Sequence, residues 1–415
     1  MRARIANSGP DAHAAEGILR NDGHQIEVDP AAPVDLVVVD EWTPETAPQV
    51  REARAAGARV TVLAELLLDR AAGPVVGVTG TAGKTSTCRA LESLLRSCGR
   101  PVAISSTARS GNAWPDHSLA ADPGLEDPGT VVIAELTSTH LCHMTRVHPD
   151  IAVVTTIRPD HIELHGGVEA YVRAKRRLVT DLRDDDALVL PTDDPDTLVA
   201  LGPVTGRRWG FGSEVSGSGA FSVQGDVRLV GPGGTATCES PLEEPLLRAA
   251  LAASAAAMAL GVPVADLAGA LPSIAPAEHR QAVRKGPAGT TIVDDTMAAT
   301  PLKVRAALER FGGPALVLVI GGDDSLPGQP VHATAEEESL LGAVLREARD
   351  AVGVIVAFGP ARSRITPYLA PDLEADDLAG ALRAAQEACP AGGTVLVSPM
   401  FPLTPREREV AAGRD

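Results

Sequence analysis

One stretch constrains this chain more than any other: Val75-Val76-Gly77-Val78-Thr79-Gly80-Thr81-Ala82-Gly83-Lys84-Thr85-Ser86-Thr87. A β-branched run feeds a glycine-rich turn, and a lysine and hydroxyl residues open a helix directly after it. Main-chain amides of such a turn converge on an anion, and the helix N-terminus adds its partial positive charge. Lys84 then supplies a point charge for terminal phosphates and Thr85 a hydroxyl for Mg²⁺, which makes Gly80, Thr81, Gly83, Lys84, Thr85 and Ser86 the expected nucleotide contacts. A bare strand-to-helix turn needs neither the lysine nor the threonine.

That motif requires a parallel sheet around it, and the flanking sequence predicts one. Apolar runs at Val131–Glu135, Ile151–Ile157 and Ala187–Leu190 alternate with helical patterns at Lys84–Cys98 and Glu169–Leu182. Before it, runs at 35–39 and 59–63 flank a helical stretch at 48–56, and a further helix is expected near 11–20. Residues 1–72 thus predict a small doubly wound domain, joined through Ala71-Ala72-Gly73-Pro74. From about 277 the alternation resumes, with strands at 315–320, 353–358 and 394–398 and helices near 301–310, 335–349 and 375–388. The expected class is α/β in three parts: 1–72, 73–276 and 277–415. A length of 415 residues suits two or three cores.

Composition narrows the partners. The formal charge of −17, from 54 acidic against 37 basic residues, repels nucleic acid and anionic lipid. Five scattered cysteines without a CxxC pair argue against a disulfide framework and fit a reducing, cytoplasmic setting. The amino terminus has no apolar signal core, and the longest apolar run, Ala249 to Leu260, is too short to span a bilayer.

The spelling Gly80-Thr81-Ala82-Gly83-Lys84-Thr85-Ser86 resembles the loop of the Mur ligases, which join amino acids to the peptidoglycan precursor. Further segments follow in the family's order. Ser110-Gly111-Asn112 resembles its Gly-Asn turn near substrate, Ala134-Glu135-Leu136-Thr137-Ser138 its glutamate strand end, and Thr156 to Gly166 its Asp-His and His-Gly pattern. Tyr171-Val172-Arg173-Ala174-Lys175 falls at the expected distance beyond. Ala277-Glu278-His279-Arg280 resembles the His-Arg pair that opens its third domain, and Val293-Asp294-Asp295-Thr296-Met297-Ala298-Ala299-Thr300-Pro301 its Asp-Ser-x-Ala-Thr segment.

The resemblance implies a small amino-terminal acyl-substrate domain, a central phosphate-loop ATPase-like sheet and a Rossmann-like amine-binding domain. It implies an ATP-dependent ligase that activates a carboxylate as an acyl phosphate for attack by an amine. Lys84, Glu135, His161 and Lys175 would be catalytic, with Thr85, Glu135, His161 and a CO₂-carbamylated Lys175 holding the magnesium site, which takes two ions. Arg280 and Asp295 would contact the nucleotide, and Asn112, Arg158, His165 and Ser398 the substrates. The partners would be a small-molecule acid and amine, and the chain would act as a monomer.

Several positions depart from the family. Pro245-Leu246-Leu247-Arg248 stands where an adenine-side asparagine is usual, and Arg158 replaces an asparagine near the proposed metal. Ser8-Gly9-Pro10-Asp11 has one glycine, with Asp11, Asp40 and Glu41 where a nucleotide sugar would lie. Gly321-Gly322-Asp323-Asp324 and Met297 occupy places of lysines in the glutamate-adding branch, and Pro399 to Pro405 predicts an apolar wall for the amine. These departures favour a specialised acid and amine over the uridine-diphosphate precursor. The alternatives are a divergent UDP-N-acetylmuramoyl-L-alanine:glutamate ligase, a small-molecule kinase and a non-catalytic nucleotide-binding partner. His140, Cys142, His143 and His148 have the composition of a zinc site, which the resemblance reads instead as a plain helix.

Overall fold

A computed structural model describes residues 1–6, 8–105, 119–160, 162–240, 242–276, 278–326 and 335–414. The chain divides into two compact units, Met1–Ala275 and Pro276–Asp415.

Within the first unit, strands Gln25–Ile26, Arg2–Ile5, Leu36–Val38 and Arg59–Thr61 form a parallel sheet in that spatial order. Helices Pro10–Asn21 and Pro48–Ala55 start on prolines, whose missing N–H costs nothing in a first turn. The short helix Leu63–Leu68 follows the last strand and carries Glu65, 1% exposed. Its carboxylate accepts from Thr61 Oγ1 (2.5 Å), Arg59 (2.7 Å), Thr145 Oγ1 (2.6 Å) and the Thr145 and Arg146 amides (3.0 and 2.8 Å). A buried carboxylate needs that many donors to replace its hydration.

The second sheet runs Gly234–Glu239, Asp226–Gly231, Gly219–Val223, Arg207–Gly212, Ala187–Pro191, Ile151–Val154, Val75–Thr79, Val131–Glu135, Val102–Ser105. From Arg207–Gly212 to Val102–Ser105 the strands are parallel. Strand Gly219–Val223 continues the parallel pairing, and Asp226–Gly231 and Gly234–Glu239 add an antiparallel edge that the βα alternation does not foretell. The strand expected over 151–157 stops at Val154, because Thr155 and Thr156 turn to bond the phosphate loop. The alanine-rich helix Leu246–Ala259 is buried against this sheet, where small side chains let helix and sheet approach closely.

The second unit holds a six-stranded sheet in the order Ala282–Lys285, Thr291–Asp294, Thr394–Met400, Gly313–Gly321, Val352–Phe358, Leu373–Ala375. All pairs but the first are parallel. Helices Pro301–Phe311, Ala335–Ala351 and Leu378–Ala388 lie where the sequence predicts them, within a few residues. Among the described residues, no helix is long and apolar enough to cross a membrane.

Candidate active site

The phosphate loop joins strand Val75–Thr79 to helix Lys84–Ser97. Gly83 caps that helix at φ +84°, in the left-handed region that favours glycine. Gly80 is required by crowding, since a Cβ there would meet Thr155 Oγ1 at 1.9 Å. The loop is held from the side: the Thr81 amide donates to the Thr156 carbonyl (2.7 Å), Thr81 Oγ1 to the Arg158 carbonyl (2.8 Å), and the Arg158 amide to Thr81 Oγ1 (2.9 Å).

Two lysines meet over this turn. Lys84 Nζ donates to the Gly80 carbonyl at 2.8 Å and the Thr81 carbonyl at 3.3 Å, and Lys175 Nζ reaches the same Gly80 carbonyl at 2.8 Å. Lys175 is 2% exposed on helix Val168–Thr180 and sits 4.9 Å from the Tyr171 ring centroid. Burial first, then the charge of Lys84, pushes its amine well below the usual lysine range. The Tyr171 hydroxyl bonds Thr81 Oγ1 at 2.7 Å, and burial pushes it up.

Glu135 ends its strand 2% exposed and accepts from Thr85 Oγ1 at 2.8 Å. A hydroxyl and a carboxylate this close, at the carboxyl edge of a parallel sheet, are hard oxygen donors suited to Mg²⁺. Both fit that ion. Ser86 follows, half-buried. Arg158 is not a loose cation beside the loop, since it donates to Asp194 Oδ1 at 2.8 Å and to Thr197 Oγ1 at 3.2 Å. Burial raises Asp194, but the bonds from Arg158 and Thr197 outweigh it and leave the carboxyl below its usual range. Within the 245–248 segment, Arg248 donates to Asp193 Oδ1 at 2.9 Å. Against the upward push of burial, Arg248 and Ser213 hold Asp193 at about 2.

The second unit gathers a separate group. Asp295 is 7% exposed and accepts from Ser398 Oγ at 3.0 Å. Burial pushes its carboxyl up to about 7, against the pull of Ser398, Arg280 and Lys303. Ser398 is fully buried, so its hydroxyl serves Asp295 rather than an open surface. His279 Nδ1 lies 2.9 Å from Asp294 Oδ2. The apolar wall expected over 399–405 is instead turned inward: Met400, Phe401 and Leu403 are buried in the two core layers of this unit. The Asp323 amide donates to the Pro402 carbonyl at 3.0 Å, so the two loops expected near the amine do adjoin.

Asn112 and His161 lie outside the described residues. The four residues with zinc-like composition point to different partners: His140 to Glu41 (2.8 Å), Cys142 to the Thr139 carbonyl (3.2 Å), His143 to the Thr43 carbonyl (2.7 Å), and His148 to Asp186 (3.0 Å). Asp11, Asp40, Glu41 and His140 line one crevice at the carboxyl ends of the first sheet's strands. His165 is not open to substrate, with its side chain fully covered and its ring edge-on to Tyr171 at 5.6 Å. Glu65 and Glu45 escaped sequence reasoning because their partners lie far along the chain.

Residues 78–220 match a family model described as the Mur ligase middle domain. A Frankia casuarinae protein named UDP-N-acetylmuramoylalanine--D-glutamate ligase is 30% identical over 441 residues, covering 100% of this chain and 87% of that one. A Micromonospora protein named UDP-N-acetylmuramoyl-L-alanine--L-glutamate ligase is 30% identical over 422 residues, covering 96% and 84%. Among solved structures, the MurF ligase from Thermotoga maritima in complex with ADP has a TM-score of 0.64 at 19% identity, covering 99% of this chain and 93% of its own. Escherichia coli FolC in complex with DHPP and ADP gives 0.62 at 19% identity, covering 86% and 94%. At such identity the structures speak to fold alone, but the full-length alignment goes further: this chain belongs to the Mur ligase family, whose members form C–N bonds.

Proposed function

We propose that the chain ligates a small, specialised carboxylic acid to an amine at the expense of ATP, with an acyl phosphate between the two steps. The observation that carries this reading is the convergence of Lys84, Lys175 and the Thr85–Glu135 pair on one glycine turn. Residues 1–72 would receive the acid, 73–276 the nucleotide and 277–415 the amine, with Arg280 and Asp295 on the nucleotide. Mg²⁺ held by Thr85, Glu135, His161 and modified Lys175 would supply charge neutralisation on the phosphates.

The work of the chain's own residues follows from their surroundings. Lys84 lies within reach of charge that grows on the transferred oxygens, where an ammonium counts most. Burial favours the uncharged form of Lys175, the form that attacks CO₂; the nitrogen lone pair bonds to carbon, one N–H proton leaves to solvent, and an anionic carbamate replaces the amine. The Tyr171 hydroxyl and the 156–158 main chain keep the loop in register for both lysines.

The acidic crevice of Asp11, Asp40 and Glu41 supports a substrate other than a nucleotide sugar. Three carboxylates there repel a diphosphate, and Asp11 stands in the first turn of the helix a pyrophosphate would use. The names of the Frankia and Micromonospora relatives favour a second reading, a divergent glutamate ligase of peptidoglycan synthesis. An ADP-release screen decides: UDP-N-acetylmuramoyl-L-alanine with D- or L-glutamate against panels of small acids and amines. Robust turnover with the uridine-diphosphate substrate overturns the specialised reading. Turnover without any amine overturns ligation in favour of simple phosphoryl transfer.

A further inference from the structure

Cys142, on helix Ser138–His143, is 2% exposed, and its thiol donates to the Thr139 carbonyl at 3.2 Å. Facing it are Glu45, ahead of helix Pro48–Ala55, and His165, beside the Gly166-Gly167 turn. One ligand atom from each of the three lies within 4.8 Å of the other two. Neither ring nitrogen of His165 has a hydrogen-bond partner, although the side chain is fully covered. Buried imidazoles ordinarily use at least one nitrogen. The Nδ1 of this one stands 3.9 Å from Glu45 Oε2, beyond hydrogen-bond reach.

Arg54 braces the other two residues from behind. It donates to the Cys142 carbonyl at 3.1 Å and lies 3.5 Å from Glu45 Oε1, which leaves Oε2 on the His165 side. Such outer contacts are what orient the ligands of a metal.

We infer that Glu45, Cys142 and His165 form a site for a thiophilic divalent cation of the zinc class, apart from the phosphate-loop site. A thiolate beside imidazole and carboxylate suits zinc, and it is the soft sulfur that disfavours Mg²⁺. Around a tetrahedral zinc with bonds of about 2.0–2.3 Å, donor atoms stand about 3.3–3.8 Å apart, and a water would take the fourth position beside these three. The present spacing closes to that by a contraction of about 1 Å, within reach of side-chain rotation. Binding breaks the Cys142 S–H bond; the proton leaves to solvent and the thiolate pair bonds the cation. Two anionic ligands then face the dication while Arg54 keeps its hold through Oε1.

The site joins a residue of the first sheet's layer to two from the central one. It also sets the His165 ring, on which Tyr171 packs, and the Tyr171 hydroxyl bonds the phosphate loop. Its place is therefore structural, behind the catalytic surface.

The test uses the full chain, without a histidine tag, and Co²⁺ as the probe. Wild type is expected to bind one equivalent with a near-ultraviolet sulfur-to-cobalt charge-transfer band that Zn²⁺ abolishes. Cys142→Ala should lose the band, and Glu45→Gln should keep it while weakening the cation by at least about tenfold. Absence of the band in wild type, or its survival in Cys142→Ala, overturns the site. Unchanged affinity in Glu45→Gln removes Glu45 from the ligand set and overturns the triad. Cobalt held only by Thr85 and Glu135 would show no sulfur band. The readout needs neither ATP nor substrate, so it stands or falls independently of the ligase reading.

Discussion

Replacing Asp295 by asparagine tests the electrostatics of the second unit directly. The carboxyl is 7% exposed and sits at about 7, against 3.8 when unperturbed. Because the folded-state value is the higher one, the folded chain holds more protons than the unfolded chain between those limits. The group's contribution is therefore fully present below pH 3.8 and is lost as pH rises through about 7. A gap of roughly 3 units at about 1.4 kcal/mol each bounds the whole loss near 4 kcal/mol, of which about 2–3 kcal/mol fall between pH 5 and 8. Asparagine keeps an acceptor for Ser398 but carries no charge, so the variant should lack this decline. Tryptophan fluorescence would follow the wrong unit, since Trp42, Trp114 and Trp209 all belong to the first. Native-state hydrogen exchange of a peptide covering Thr291–Asp294 in the full chain, corrected for intrinsic rates, follows the right one. The stability of Asp295→Asn relative to wild type should rise by about 2–3 kcal/mol from pH 5 to 8. Parallel profiles would refute the reasoning.

Lys84→Met should cut ADP release at least about 100-fold with the fold intact by circular dichroism; near-normal turnover would remove the lysine from phosphoryl transfer. Lys175→Gln should lose activity, and wild-type activity should fall on thorough CO₂ depletion and recover with bicarbonate; indifference to both would rule out carbamylation. Arg158→Ala strips Asp194 of its guanidinium and should lower the urea midpoint of tryptophan fluorescence, which reports the first unit, by the equivalent of about 1 kcal/mol; an unchanged midpoint would show the pair to be only a surface contact.

Local features of this protein were legible in its sequence. The phosphate loop and its helix obey rules set within a dozen residues, and the strands around them are apolar runs that only a covered parallel sheet accommodates. The strands over 219–239 were not legible, because they are only five or six residues long and the last of them buries no side chain fully. Arg158 looked like a stray cation because Asp194, which engages it, lies 36 residues on. The 399–405 loop looked like an open wall, yet the sheet's core takes its apolar side chains. Exposure of a loop residue depends on what packs against it, which one-dimensional pattern does not carry.

Glu65 limits how this protein could be recombined with its relatives. Its carboxylate serves residues 59 and 61 on one side and 145–146 on the other, so the first sheet is not a detachable cassette. A graft cut at the 72/73 junction that brought in another residue here would leave the Thr145 and Arg146 amides short of an acceptor, at about 1–3 kcal/mol each. Exchanging the Asp11, Asp40 and Glu41 crevice would therefore mean transplanting the 145–146 turn with it, as one inherited piece.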